Sequence, residues 1–142
     1  MNGQDIECEY VVLATGMWSR QIGEKIGVSI PLYPAEHFYV ITEPIENLSP
    51  TLPVIRDFDS STYIKEDAGK LLIGIFEGKS IPAFNKTNKV PEDFSFGEFP
   101  ENFDHFEPYL EKSIKRFPVL EKLELESFFQ DQNHLLPIQI LY

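Results

Sequence analysis

The chain has 142 residues and carries 23 Asp and Glu against 12 Lys and Arg, a formal net charge of −11. That length suits one domain able to bury roughly two-thirds of its unfolded surface, while the charge disfavours a nucleic-acid backbone or an anionic membrane surface as partner. Apolar runs fall short of the ~20 residues of a spanning helix, no basic-then-apolar signal segment opens the chain, and the single cysteine, Cys8, excludes an internal disulfide and makes a reducing, cytoplasmic setting the expected one.

Residues 6–9 alternate in polarity and Tyr10-Val11-Val12-Leu13-Ala14 is continuously apolar, which predicts a strand, half-exposed at first and then buried. Thr15-Gly16 breaks the run. Ser19 is placed to N-cap a short helix over residues 20–26, ended by Gly27, with Ile22 and Ile26 on one face. Residues 28–34 are proline-punctuated and extended. His37-Phe38-Tyr39-Val40-Ile41-Thr42 predicts a strand closed by Glu43-Pro44. After a loop over 45–53, residues 54–57 predict a short strand, and residues 62–66 and 71–76 form the clearest hairpin, turning at Asp67-Ala68-Gly69-Lys70.

The 13% aromatic fraction and 11 prolines are high for an ordinary α/β domain, and many fall in the long polar stretch 77–103. Its spaced Phe84, Phe94, Phe96, Phe99 and Phe103 predict that it packs back onto the fold. Asp104 then opens a helix, with Glu107 completing a capping box and Pro108 in the first turn. Phe106, Leu110, Ile114 and Phe117 make its apolar stripe, and Pro118 stops it. Residues 124–129 predict a last strand.

Several chemistries are absent from the sequence. His37, His105 and His134 lie far apart, with no cysteine pair and no HExxH, so metal-ligand spacing is missing. There is no GxSxG, no histidine placed to pair with Cys8, and no P-loop. Without GxGxxG the chain cannot supply a dinucleotide pyrophosphate cradle by itself. What remains is Val11-Val12-Leu13-Ala14-Thr15-Gly16-Met17-Trp18-Ser19, a strand–turn–helix pattern. A strand ending in small residues and glycine lets backbone approach a ligand; equally, Gly16 can serve a tight turn that needs positive φ.

Residues 11–19, followed by Arg20-Gln21-Ile22-Gly23 and Gly27-Val28, resemble the last flavin-contacting strand of FAD-dependent amine oxidoreductases of the D-amino-acid-oxidase-like superfamily. Pro31-Leu32-Tyr33-Pro34-Ala35-Glu36-His37-Phe38-Tyr39, Thr42-Glu43-Pro44, Ile55-Arg56-Asp57, Tyr63-Ile64-Lys65, Leu72-Ile73-Gly74 and Pro91-Glu92-Asp93-Phe94, in that order, resemble the dimethylglycine and sarcosine dehydrogenase group. The resemblance implies an α+β architecture: the C-terminal strand, turn and short helix of an FAD-binding α/β domain (residues 1–27), then an antiparallel-sheet substrate domain with flanking helices (28–129). It implies oxidation of a small N-methylated glycine by hydride transfer from an N-methyl carbon to flavin, leaving an iminium that water or tetrahydrofolate captures, the folate site lying in a missing C-terminal region. The expected fragment binds no FAD and is inactive alone. A related amine oxidase with another substrate, or a non-catalytic acidic module that binds a protein through residues 84–103, is the alternative.

The resemblance also assigns residues. His37 and Tyr63 would face the substrate beside the flavin, where imidazole or phenol supplies a donor to a carboxylate and can take the amine proton. Their structural alternatives are a satisfied core histidine and a half-buried strand aromatic. Arg56 would pair with the substrate carboxylate, or else bridge to Asp57 or Asp59. Ala14, Thr15, Gly16 and Trp18 would contact the cofactor, although Met17 and Trp18 also suit packing. His105, beside the predicted cap, suits an exposed helix start. No residue here matches the histidine that attaches flavin covalently in some relatives.

The pattern departs at its end. After Phe128-Phe129 the family continues with a segment like Gly-Pro-Glu-Ser-Phe-Thr-Pro-Asp, whereas this chain has Asp131-Gln132-Asn133-His134-Leu135-Leu136-Pro137-Ile138. One choice of codons for those residues, read one base earlier, spells the family segment. Residues 130–142 are therefore expected to be a frameshifted, non-native tail, and His134 is given no chemistry.

Overall fold

Alternating apolar residues on β-rich segments and an apolar stripe on one helix dictate a sheet with a helix across one face. The computed structural model describes residue 3 and residues 5–84, 89–95 and 99–131, the last four by backbone alone. Among them the sheet has strands β1 (His37–Thr42), β2 (Ile55–Asp57), β3 (Thr62–Asp67), β4 (Lys70–Ile75) and β5 (Leu125–Asp131), in the order β2-β3-β4-β1-β5. Every pairing is antiparallel. The predicted β3–β4 hairpin turns on Ala68 (φ 52°) and Gly69 (φ 84°), the mirror-image turn whose twist matches its strands. Gly69 N–H also donates to Glu66 Oε1 at 2.8 Å.

One sheet face carries Phe38, Val40, Ile64, Ile73 and Ile75, all buried, and α2 (Phe103–Arg116) packs on it through the fully buried Phe106, with Leu110 and Ile114 alongside. Ser113, also fully buried, donates from α2 to Thr62 Oγ1 at 3.0 Å and so ties the helix to β3. The predicted stripe is thus real, but its cap lies elsewhere. Asn102, not Asp104, caps α2: its side chain accepts from His105 N–H at 3.2 Å. Asn102 has the non-helical backbone (φ −130°) that a cap needs, and its oxygen reaches the third helical residue. Pro108 consequently sits in the second turn rather than the first.

The N-terminal prediction differs most. Residues 5–14 form no strand, and Tyr10, Val11 and Val12 are 90%, 75% and 85% exposed. An apolar β-type run is buried only when neighbouring edges flank it, and no described strand lies beside this one. A 3₁₀ turn over Gly16–Trp18 then leads into α1 (Ser19–Lys25), where Ser19 is the first helical residue and Trp18 occupies the cap. Gly27 has the predicted positive φ of 76°, whereas Ile26 is 64% exposed instead of packed.

The described parts of 77–103 do pack back. Ala35 and Pro82 form a bridge, and Phe84 meets Phe94 and Phe99 at 5.4 and 5.7 Å between ring centres. Phe96 lies outside the described residues, as do 132–142 with His134. Strand β2 begins at Ile55, one residue later than predicted, and β5 continues through Asp131, pairing Gln130 with Phe38 and Asp131 with His37.

Candidate active site

The face of the sheet opposite α2 gathers three of the predicted residues. Register places Arg56 on β2 against Tyr63 on β3, Tyr63 against Gly74 on β4, and Gly74 against Tyr39 on β1. Residues two apart share a face, so His37 and Phe76 join this row. His37 Nε2 and the Tyr63 hydroxyl are hydrogen-bonded at 3.1 Å, and their rings are nearly parallel, 4° apart in plane. The imidazole tautomer decides which of the two donates. Phe76 closes the group, 5.7 Å from His37 and 4.9 Å from Tyr63 between ring centres.

Arg56 lies at the outer end of this row, its guanidinium carbon 3.6 Å above the centre of Phe76 and 5.1 Å from that of Phe58. The bridge to Asp57 or Asp59 offered by the sequence is not made; among the described residues Arg56 has no carboxylate within ion-pair distance. Asp57 instead accepts from Ser60 Oγ at 2.7 Å, which holds its carboxyl below the usual range. Neighbouring residues on a strand point to opposite faces, which separates Arg56 from Asp57. The result is a graded row: His37 is 6% exposed, Tyr63 and Phe76 are half-buried, and Arg56 is open to solvent. Chemically it offers a cation with planar donors for a carboxylate and, deeper in, two groups able to hold a proton beside it.

Ala14, Thr15, Gly16 and Trp18 lie elsewhere, on the turn before α1 and outside the sheet. Gly16 is exposed with φ +52°, and a side chain built there would meet nothing within 4 Å. Trp18 N–H donates to Thr15 carbonyl at 3.1 Å, and the Thr15 and Ser19 hydroxyls are bonded at 3.1 Å. Among the described residues nothing lies within 4 Å of that built side chain at Gly16, which is the room that one edge of a planar cofactor would need. The pyrophosphate cradle is not among the chain's motifs.

A second titratable group went unrecognised in the sequence. Glu77, 3% exposed, lies on the α2 side and faces His105, which is half-buried rather than on the surface. The alternation Ile73, Ile75, Glu77 carried the signal, since the first two are core residues. Burial, with the negative charge of Glu36, pushes the Glu77 carboxyl up to about 7. Burial also lowers His105, and burial together with the Glu77 charge raises Tyr109.

Known proteins resemble this chain over most of its length. A family model described as FAD dependent oxidoreductase matches residues 1–130. The chain is 36% identical over 132 residues to 4-methylaminobutanoate oxidase (formaldehyde-forming) of Paenarthrobacter nicotinovorans, covering 93% of this chain and 16% of that protein. It is 37% identical to the mitochondrial pyruvate dehydrogenase phosphatase regulatory subunit of Mus musculus over 123 residues, 84% of this chain and 14% of the relative. It is 36% identical to mitochondrial sarcosine dehydrogenase of Mus musculus over 122 residues, 86% of this chain and 13% of the relative. The crystal structure of L-proline dehydrogenase from P. horikoshii superposes with a TM-score of 0.61 at 22% identity, over 83% of this chain and 29% of that one, a likeness of fold. The chain therefore spans a small part of the length of these relatives.

Proposed function

The chain belongs to the FAD dependent oxidoreductase family, and from that premise we propose that its sheet face is the substrate side of a flavoenzyme oxidising an N-methylated amino acid, such as sarcosine or dimethylglycine. The observation that carries this reading is the placement of His37, Tyr63 and Arg56 on one face. Two relatives are named for substrates that pair a methylamine with a carboxylate, which is the pair of groups this face suits.

In this reading Arg56 receives the carboxylate at the solvent edge, its guanidinium held flat on Phe76. The substrate amine then extends inward toward the bonded His37–Tyr63 pair. An ammonium has no lone pair to expel hydride, so a neighbouring group must hold its proton; His37 Nε2 does so, directly or through the Tyr63 hydroxyl, which takes the amine proton as it passes its own to the imidazole. His37, 6% exposed, keeps that proton away from bulk water. FAD, when bound, supplies the acceptor for the hydride. Ala14, Thr15, Gly16 and Trp18 would hold one edge of it through the open backbone at Gly16.

The test is binding to the full chain, followed by NMR at labelled His37, Tyr63 and Arg56. Sarcosine, dimethylglycine and 4-methylaminobutanoate should shift all three, and dimethylamine, which lacks the carboxylate, should not. No response to any of them, or an equal response to dimethylamine, overturns the reading. A second reading, a protein-binding role without turnover, is favoured by the relative named a regulatory subunit, and it predicts the same absence of response.

A further inference from the structure

Tyr63 and His37 do not sit on adjacent strands. β4 lies between β3 and β1, so their backbones are two strand spacings apart, roughly 10 Å. The 3.1 Å bond between them forms only because the Tyr63 ring lies across β4, and the β4 residue directly opposite Tyr63 is Gly74. A Cβ built on Gly74 would fall inside contact distance of Tyr63 Cε1, Cζ and Oη. Backbone conformation does not ask for glycine here: the glycines with positive φ among the described residues are Gly16, Gly27 and Gly69. Glycine inside a strand also weakens it, by about 0.5–1 kcal/mol relative to alanine. The position is therefore unfavourable for the sheet and favourable only for the ring above it.

We propose that Gly74 is a positioning residue of the candidate site, whose absent side chain lets Tyr63 lie over β4 and carry its hydroxyl to His37. This rests on the proposed amine-oxidising role for its meaning, but its geometry is testable without substrate or flavin. Gly74 acts through Tyr63 and touches no reacting atom. It also sets the floor of the face, because any larger residue at 74 lifts the phenol toward the space a substrate would take.

The experiment follows the pH titration of the His37 imidazole by NMR, with thermal melting, in the full chain. Gly74→Ala should move the His37 midpoint to the value found for Tyr63→Phe. Adding Gly74→Ala to Tyr63→Phe should move it no further, since the bond is already lost. In a Tyr63→Ala background, where the ring is gone, Gly74→Ala should fold and melt at least as high as Tyr63→Ala alone. That arm decides the matter if Gly74→Ala by itself does not fold. A Gly74→Ala variant that keeps the wild-type His37 midpoint overturns the proposal. So does a Gly74→Ala/Tyr63→Ala variant that melts well below Tyr63→Ala. Sarcosine added to the wild-type chain separates the two ideas: silence at His37 refutes the substrate role, while the titrations still judge Gly74.

Discussion

Glu77, one residue past the aromatic wall of the candidate site, faces His105 in the first turn of α2 at 3.6 Å, and neither Glu77 Oε1 nor His105 Nε2 has a hydrogen bond among the described residues. Unbonded buried polar atoms are rare and costly, about 1–3 kcal/mol each, so the protonation of this pair bears on how α2 seats on the sheet.

The two groups should tilt stability in opposite directions. Glu77 is raised to about 7, so its folded form holds a proton that the unfolded form has released. Its contribution is fully present below the unfolded value near 4.5 and is lost as pH rises through about 7. His105 is lowered by burial, so its contribution is present above the usual 6.5 and is lost as pH falls. Glu77→Gln should then melt at rising temperature as pH increases from 5 to 7, and His105→Gln at falling temperature, with wild type flatter than either. At pH 8 Glu77→Gln should exceed wild type by on the order of 1 kcal/mol, about 4 °C.

Arg56→Ala should separate ligand binding from stability. Its stacking on Phe76 is exposed and worth ~0.5–1 kcal/mol, so melting should change little. A bidentate carboxylate contact is worth ~1.5–3 kcal/mol, so sarcosine affinity should fall about tenfold to a hundredfold. Arg56→Lys keeps the charge but not the flat donor fork, and calorimetric titration should place it between the two.

Gln21 pins the long loop to α1. Its side-chain amide donates to Val90 carbonyl at 2.9 Å and accepts from Val90 N–H at 2.7 Å, and Val90 is 2% exposed. Lys89 adds an ion pair to Glu24 at 3.1 Å. Gln21→Ala leaves two buried backbone groups unbonded, at about 1–3 kcal/mol each. Hydrogen exchange at Val90 should quicken by on the order of tenfold or more, and proteases should cut near residue 90 sooner.

The exposed run at Tyr10, Val11 and Val12 should drive self-association without supporting the fold. Val12→Lys, measured by sedimentation and melting, should raise the monomer fraction and change stability by less than about 0.5 kcal/mol. A loss of several kcal/mol would mean that the run is packed in solution.

Local order was legible in the sequence, because period and turn chemistry are properties of neighbours in the chain. The hairpin at Asp67-Ala68-Gly69-Lys70, the stripe Phe106–Leu110–Ile114 and the strand at residues 37–42 follow from side-chain alternation and helical spacing, and the ordered motifs pointed to the right family. Other features depend on what each segment meets. Asn102 and Asp104 are both able caps, and only the φ at Asn102 chose between them. The run at 10–14 has strand chemistry but no flanking edge among the described residues. His37 and Tyr63 are 26 residues apart, and Arg56, Gly74 and Phe76 join them only through the pairing of four strands. That register is set by the sheet as a whole: one step of slip would send every one of these side chains to the α2 face. Residue types and local form were thus determined by the sequence itself, whereas the meeting of a phenol and an imidazole over a glycine was decided by tertiary pairing.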